Sequence, residues 1–214
     1  MQQRRLSLLD KIIGEADSVM KTITSRGNHA SRPSPSQGHV ESDLSEPARK
    51  HVAGLMRVNH TGEVCAQALY QGQALTAKLP TVRDEMQQAA LEEVDHLVWC
   101  EERLQELGSR ASYLNPAWYG MSFALGAIAG AIGDKVSLGF VAATEEQVCG
   151  HLRDHLKQLP NEDRKSSLIL QQMLEDEQRH GDNALEAGGM DFPQPIKQAM
   201  SALSLLMTRT SYRI

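Results

Sequence analysis

The chain has 214 residues, enough for one domain with a sizeable buried core and short appendages. Its 22 basic and 27 acidic residues are nearly balanced, so the overall charge indicates no nucleic-acid partner. Three cysteines, Cys65, Cys100 and Cys149, lack CxxC spacing, which argues against a disulfide framework and a cysteine metal site and predicts buried apolar roles. The N-terminal residues contain no clean signal sequence, so we expect a cytoplasmic location.

The N-terminal region, residues 1–47, is predicted to contain a helix followed by a linker. Apolar residues recur at helical spacing within residues 5–23, which indicates a short amphipathic helix. Residues 26–47 are rich in Ser and Pro and poor in apolar side chains, a composition typical of a flexible linker. We expect the main domain to occupy residues 48–214.

Four long helices are predicted in the main domain from apolar periodicity and from the Pro and Gly residues near their ends. They cover about 48–78, 82–107, 134–158 and 161–187. The Gly188-Gly189 pair is expected to supply a left-handed cap after the last of them. No segment has sustained strand alternation, so the sequence predicts an all-α bundle.

Two further segments lie outside these four helices. Residues 117–133 are uncharged, and their length is marginal for crossing a hydrocarbon core of about 30 Å. Their glycines suit either contact with a membrane interface or a buried helix that packs closely on a neighbour. The basic tail, residues 196–214, has apolar residues at helical spacing, which suits an anionic lipid surface or a helix that caps the bundle.

Six residues form two matching sets, each a single Glu followed, on the next long helix, by Glu-x-x-His. The sets are Glu63 with Glu93 and His96, and Glu145 with Glu177 and His180. The single Glu precedes its Glu-x-x-His by nearly the same distance in both sets.

Helical periodicity predicts which of these carboxylates face inward. Residues three, four or seven positions apart share a helix face, and at these spacings Glu93, Glu145 and Glu177 have mainly apolar neighbours. Glu146 has a more polar surrounding and is expected at the boundary or surface. Glu63 has mixed neighbours but is the only acidic residue between Glu46 and Asp84, so a carboxylate from the first helix must be Glu63.

Four buried carboxylates need neutralising charge, because burying each one costs several kcal/mol. Two divalent cations would balance four glutamates, and the two histidines would complete their coordination. Oxygen ligands with one imidazole per metal favour iron or manganese, while the lack of thiolates argues against structural zinc. This is the ligand arrangement of ferritin-like carboxylate bundles.

Several motifs resemble those of the demethoxyubiquinone hydroxylases, which are ferritin-like di-iron monooxygenases of ubiquinone biosynthesis. They comprise residues 57–63, 92–96, 143–146 and 175–180 and the ending at 207–212, and the resemblance covers residues 48–214. It implies a ferritin-like four-helix bundle with extra N-terminal, apolar-insert and C-terminal helical segments. It also implies Fe2+ ligation by Glu63, Glu93, His96, Glu145, Glu177 and His180.

The activity that the resemblance implies is hydroxylation of a 2-polyprenyl-3-methyl-6-methoxy-1,4-benzoquinol, with two Fe2+ ions and O2 as co-substrate, to the demethylubiquinol intermediate. A long prenyl tail favours peripheral attachment to the cytoplasmic face of the cell membrane. No nucleotide-binding loop is present, so electrons are expected from a bound reductant or a partner protein, and other quinone-biosynthesis proteins are candidate partners.

Histidines outside the two sets have more open roles. His60 and His151 are candidates for orienting a ligand or passing protons, although each is also compatible with simple hydrogen bonding. His51 and His155 are expected at the surface.

Two other functions remain open from the residues alone. One is a ferritin-type iron-handling protein with ferroxidase activity, which the apolar 117–133 segment disfavours. The other is a non-enzymatic lipid-binding scaffold of quinone assembly, in which the metals only stabilise the fold.

Overall fold

The computed structural model describes residue 17, residues 19–23 and residues 28–214, except for the side chain of Glu85. In that part of the chain six long helices occur: α1 (Glu46–Thr76), α2 (Pro80–Glu106), α3 (Asn115–Ile132), α4 (Asp134–Gln158), α5 (Arg164–Glu186) and α6 (Gln194–Ser211). The same part contains no strand, so the all-α prediction is confirmed. Residues 19–23 of the predicted N-terminal helix are helical, and residues 5–16 and 18 lie outside the described residues.

The helix boundaries follow local capping chemistry. The Asp163 carboxylate accepts a hydrogen bond from the Ser166 backbone N–H (3.1 Å) and so caps the first turn of α5. Gly188, directly after α5, has a φ of 99°, which confirms the predicted left-handed cap. Pro80 begins α2, two residues before the predicted start at 82, because the first position of a helix needs no N–H donor.

Helices α1, α2, α4 and α5 form the bundle, and two apolar clusters of buried side chains draw on all four of them. One cluster includes Met56, Trp99 and Leu152, and the other includes Tyr70 and Val141. The six predicted ligands lie between these clusters along the helices. Cys100 and Cys149 are buried, as predicted, whereas Cys65 is half-buried.

Helix α3 packs on α1 through glycines. A Cβ atom at Gly72 would lie 2.2 Å from the carbonyl oxygen of Phe123, and one at Gly126 would lie 2.2 Å from that of Leu69. The opposite side of α3 leaves Ile128 57% and Ile132 63% exposed. Close packing through glycines and an exposed apolar surface therefore occur together on this helix. No helix in the described ranges has the length and apolar character needed to span a bilayer.

Residues 28–45, here called the N-terminal strap, have no regular secondary structure and lie against the bundle. The Glu41 carboxylate contacts the Arg103 guanidinium at 2.6 and 3.0 Å. Arg103 is only 1% exposed and also pairs with Asp163 at 3.0 Å. Leu44 is buried in the first apolar cluster. These contacts join the segment that the sequence predicts as a linker to α2 and α5.

Candidate metal centre

The four bundle helices bring all six predicted ligands to the middle of the bundle. Helix α1 supplies one residue, α2 two, α4 one and α5 two, and none of them is more than 8% exposed; they are Glu63, Glu93, His96, Glu145, Glu177 and His180. One potential ligand atom from each of four of them lies within 4.8 Å of the others; these four are Glu63, Glu93, His96 and Glu177.

The two histidines face the carboxylates in matching ways. His96 Nδ1 lies 3.0 Å from Glu93 Oε2 and 2.9 Å from Glu177 Oε1. His180 Nδ1 lies 3.0 Å from Glu93 Oε1 and 3.3 Å from Glu177 Oε2. Each histidine therefore contacts the glutamate of its own helix and that of the opposite helix, which places Glu93 and Glu177 between the two imidazoles.

Glu145 lies beside this group and is held by a tyrosine. The Tyr70 hydroxyl donates a hydrogen bond of 2.6 Å to Glu145 Oε1, while Glu145 Oε2 has no hydrogen-bond partner among the described residues. Gly181 on α5 faces this residue, and a Cβ there would lie 3.4 Å from the Glu145 Cβ, at ordinary contact distance. The neighbouring Glu146 is exposed and pairs with Lys197 at 2.7 Å.

The electrostatics of the cluster indicate a shortage of positive charge. Burial, together with the charges of Glu177 and Glu93, raises the pKa of both Glu63 and Glu145 well above the ordinary range. Burial acts to lower the pKa of His180, but contacts with Glu177 and Glu93 outweigh it and raise that pKa to about 12. The Glu63 and Glu145 carboxyl groups and the His180 imidazole therefore keep their protons when no other cation is present.

The donor set fits divalent metal ions. Within the described residues, Glu63 Oε2 and Glu145 Oε2 have no hydrogen-bond partner. Glu93 Oε1 and Glu177 Oε1 are met only by the Nδ1 atoms of His180 and His96, at 3.0 and 2.9 Å, without hydrogen-bond geometry. Carboxylate oxygens and imidazole nitrogens are ligands that iron and manganese accept. Two divalent cations would satisfy these oxygens and replace the protons.

Two acids behind the histidines were missed by the sequence reasoning. His96 Nε2 lies 3.0 Å from Asp176 Oδ2, and His180 Nε2 lies 2.9 Å from Glu92 Oε2. Carboxylates in this position fix the orientation of a metal-binding imidazole. The available signal was that each Glu-x-x-His is preceded by an acid. Each acid serves the histidine of the other helix, a pairing that spacing within one helix does not reveal.

The remaining histidines have different environments. His60 is buried, with Nε2 3.1 Å from a Glu101 carboxylate oxygen, and His151 Nε2 lies 2.9 Å from Ser204 Oγ. His51 is half-buried, and its Nδ1 lies 2.7 Å from the Tyr212 hydroxyl. The surface prediction for His155 is wrong.

His155 is 8% exposed, and its Nδ1 lies 2.8 Å from Asn59 Oδ1. Burial lowers its pKa to about 4. Its face on α4 turns toward α1, a contact that the α4 sequence alone does not indicate.

An apolar cavity of about 320 Å³ reaches the cluster from between α1, α3, α4 and α6. Glu63 is part of its wall, together with Leu69, Trp118, His151 and Leu203. A smaller cavity of about 210 Å³, between α4, α5 and the residues leading into α6, reaches the cluster at Glu145 and Glu177. Its wall is more polar and includes charged side chains; these are Glu146, Arg153, Asp182, Asp191 and Lys197.

Comparison with known proteins agrees with these features. The family model of the ubiquinone biosynthesis protein COQ7 matches residues 50–211. The chain is 60% identical to the 3-demethoxyubiquinol 3-hydroxylase of Pseudomonas syringae pv. syringae (strain B728a) over 212 residues, which is 99% of each chain. It is also 60% identical to the enzyme of that name from Azotobacter vinelandii, again over 99% of each chain. The chain therefore belongs to the COQ7 family of ubiquinone biosynthesis and is a hydroxylase.

Proposed function

We propose that this hydroxylase binds two Fe2+ ions and uses O2 to hydroxylate the ring of a 2-polyprenyl-3-methyl-6-methoxy-1,4-benzoquinol, giving the demethylubiquinol intermediate. One observation carries the proposal: Glu63 belongs both to the carboxylate cluster and to the wall of the apolar cavity. A ring bound in that cavity would lie next to the metals. The names of the relatives support this substrate class.

The proposed metal ligands divide by position in the cluster. Glu93 and Glu177, between the two imidazoles, would bridge the metals, while Glu63 and Glu145 would be terminal ligands. His96 and His180 would each bind one metal through Nδ1, the nitrogen that faces the carboxylates. When bound, the iron pair supplies the activation of O2, with one oxygen atom entering the ring C–H bond and the other leaving as water at the expense of two electrons and two protons.

The protein's own part is to position the quinol and to exclude water. The cavity wall is mostly apolar, which suits the ring and the first part of a prenyl tail, and its volume lies within the range of small-molecule sites. His151, Ser204 and Gln147 add polar groups to this wall. We assign them the orientation of the quinol oxygens. Tyr70 holds Glu145 in place by its short hydrogen bond.

The surface around the cavity favours a membrane interface. Helices α3 and α6 line the cavity, and each exposes large apolar side chains: Ile128 and Ile132 on α3, and Ile196, Leu205 and Leu206 on α6. Arg209 and Arg213 are exposed at the end of the chain, whereas Lys197 pairs with Glu146 and Asp191. Peripheral attachment to the cytoplasmic face of the cell membrane through α3 and α6 would let the prenyl tail remain in lipid.

The reaction also needs an electron donor, which we assign to a bound reductant or to a partner protein, with other quinone-biosynthesis proteins as candidates. Membership of a hydroxylase family favours this function over iron storage and over a purely structural lipid scaffold. No observation on the described residues favours either alternative.

The decisive test is isotopic. The full chain, reconstituted anaerobically with Fe2+, is given a prenylated methoxyquinol in vesicles, a chemical reductant and 18O2. Mass spectrometry should find one 18O atom in the hydroxylated ring. Product that carries oxygen from water, or turnover by the iron-free protein, would contradict the proposal.

A further inference from the structure

The N-terminal strap meets the bundle directly behind His96. Arg32 Nε lies 2.7 Å from Asp95 Oδ2, and Arg32 Nη1 lies 2.8 Å from Asp176 Oδ2. The backbone N–H of Ser31 donates a hydrogen bond of 2.6 Å to Asp95 Oδ1. Residues 31 and 32 therefore link one acid on α2 with one acid on α5.

The Asp176 oxygen that pairs with Arg32 is also the oxygen next to His96. Asp176 Oδ2 lies 3.0 Å from His96 Nε2, while His96 Nδ1 faces the carboxylate cluster. One carboxylate group thus separates the guanidinium from a proposed metal ligand. The other oxygen, Asp176 Oδ1, lies 3.0 Å from the exposed Arg179 and accepts a hydrogen bond from Gln172 (3.3 Å).

The position of Arg32 is fixed by more than its ion pairs. Its Cζ lies 4.9 Å from the centre of the Trp99 ring, at a distance typical of cation–π contacts. Trp99 Nε1 in turn donates a hydrogen bond of 3.3 Å to the Arg32 carbonyl oxygen. The same indole is 5.4 Å from the His96 ring, measured between ring centres.

Two nearly buried acids share this cation. The Asp95 and Asp176 side chains are 3% and 1% exposed, and both have an oxygen within ion-pair distance of Arg32. A planar guanidinium can serve two carboxylates at once, which an ammonium group does less well. On the side of His180 the corresponding acid, Glu92, is 39% exposed and accepts a hydrogen bond from Gln88. Arg32 is the only arginine of residues 28–45, and its ion pairs lie on the His96 side.

We propose that the strap contributes a positioning residue to the metal centre: Arg32 holds Asp176 against His96 and so directs His96 Nδ1 toward its metal. The inference rests on the proposed role of His96 as a metal ligand. The family model matches residues 50–211, and the strap lies outside that range. The inference therefore gives the strap a part in metal binding. Groups that contact a metal ligand directly, as Asp176 contacts His96, are typically worth about 10- to 100-fold in metal affinity, and Arg32 acts through that group.

The test is an anaerobic titration of the metal-free full chain with Co2+, followed by its visible absorption. Wild type should bind two ions. Arg32→Ala should weaken one of them by about 10-fold, the lower end of that range, because it acts through Asp176, and should leave the other nearly unchanged. The matched control is Arg179→Ala, which removes a cation from the other oxygen of Asp176 and should have a much smaller effect. Equal losses in the two variants, or wild-type affinity for both ions in Arg32→Ala, would overturn the inference.

A second comparison separates positioning from a general loss of structure. In an Asp176→Asn background, Arg32→Ala should cause little further loss of Co2+ affinity, because the carboxylate through which Arg32 acts on His96 is already absent. If Arg32→Ala lowers Co2+ affinity as much in Asp176→Asn as in wild type, Arg32 does not act through Asp176. Should Arg32→Ala fail to fold, Arg32→Gln is judged by the same criteria. Failure of wild type to bind two ions would instead contradict the proposed metal centre.

Discussion

At the scale of single residues, the centre depends on carboxylates that are stable in the bundle only with compensating cations. Glu177 illustrates this, because it lies 2.9 Å from His96 Nδ1 and 3.3 Å from His180 Nδ1 and is 1% exposed. Its position between the imidazoles makes it common to both proposed metal positions. Its loss should therefore affect both metals.

Replacement of Glu177 by Ala is expected to abolish iron binding and hydroxylation together. The matched control is Glu175→Ala, which removes an exposed carboxylate from the same helix. Iron content by atomic emission and product by mass spectrometry measure the two effects. Full turnover in Glu177→Ala would show that Glu177 is not a metal ligand.

His155 gives the protein a pH dependence of stability that is separate from the metal centre. Burial lowers the folded-state pKa of His155 to about 4, below the value of about 6.5 for an exposed histidine. Between these values the unfolded chain binds a proton that the folded chain does not. The contribution to the free energy of unfolding is therefore complete above about pH 6.5 and declines toward pH 4, by about 3 kcal/mol in all.

Urea unfolding at several pH values measures this contribution. His155→Gln should have a shallower dependence of unfolding free energy on pH across that window than wild type. His39→Gln, at an exposed strap position, serves as the control and should follow wild type. Parallel curves for His155→Gln and wild type would mean that His155 does not titrate as inferred.

Residue-level prediction from sequence succeeded where a local pattern held the information. The helix-face test placed Glu145 inside and Glu146 outside, and both positions agree with the structure. The same test could not identify Asp176 and Arg32, because their partners lie on other segments of the chain. A periodicity gives the direction of a side chain but does not identify the group that it meets.

At the scale of elements, the contact between α1 and α3 places the apolar helix beside the centre. Gly126→Ala should destabilise the protein by about 1–3 kcal/mol, because the new Cβ would meet the Leu69 carbonyl and force the helices apart. Gly120→Ala is the control: the same helix has open space there, and alanine should be neutral or stabilising by up to about 1 kcal/mol. Thermal unfolding compares the two, and equal melting temperatures would refute close packing at Gly126.

The elements themselves were largely predictable, and their ends less so. The predicted 134–158 helix coincides with α4, because Gly133 and Pro160 flank a continuous apolar pattern. The α1–α2 junction was misplaced because proline is compatible both with the end of one helix and with the first turn of the next.

At the scale of the whole molecule, α3 and α6 present apolar side chains around the apolar cavity. Leu206→Glu should weaken binding to anionic phospholipid vesicles by about tenfold or more, since an exposed leucine that enters lipid contributes about 1.5–3 kcal/mol. Val40→Glu changes an equally apolar surface residue on the strap and should bind like wild type. Vesicle co-sedimentation measures both, and iron content should stay unchanged. Equal weakening in both variants would contradict a membrane-facing role for α6.

The two cavities have a kinetic consequence. The apolar one reaches the centre at Glu63, and the polar one reaches it at Glu145 and Glu177 on another side of α4. A lipid that fills the first does not block the second. Small hydrophilic molecules and the quinol therefore need not share one route to the centre. Steady-state kinetics should then show no obligatory binding order that arises from one molecule blocking the route of the other.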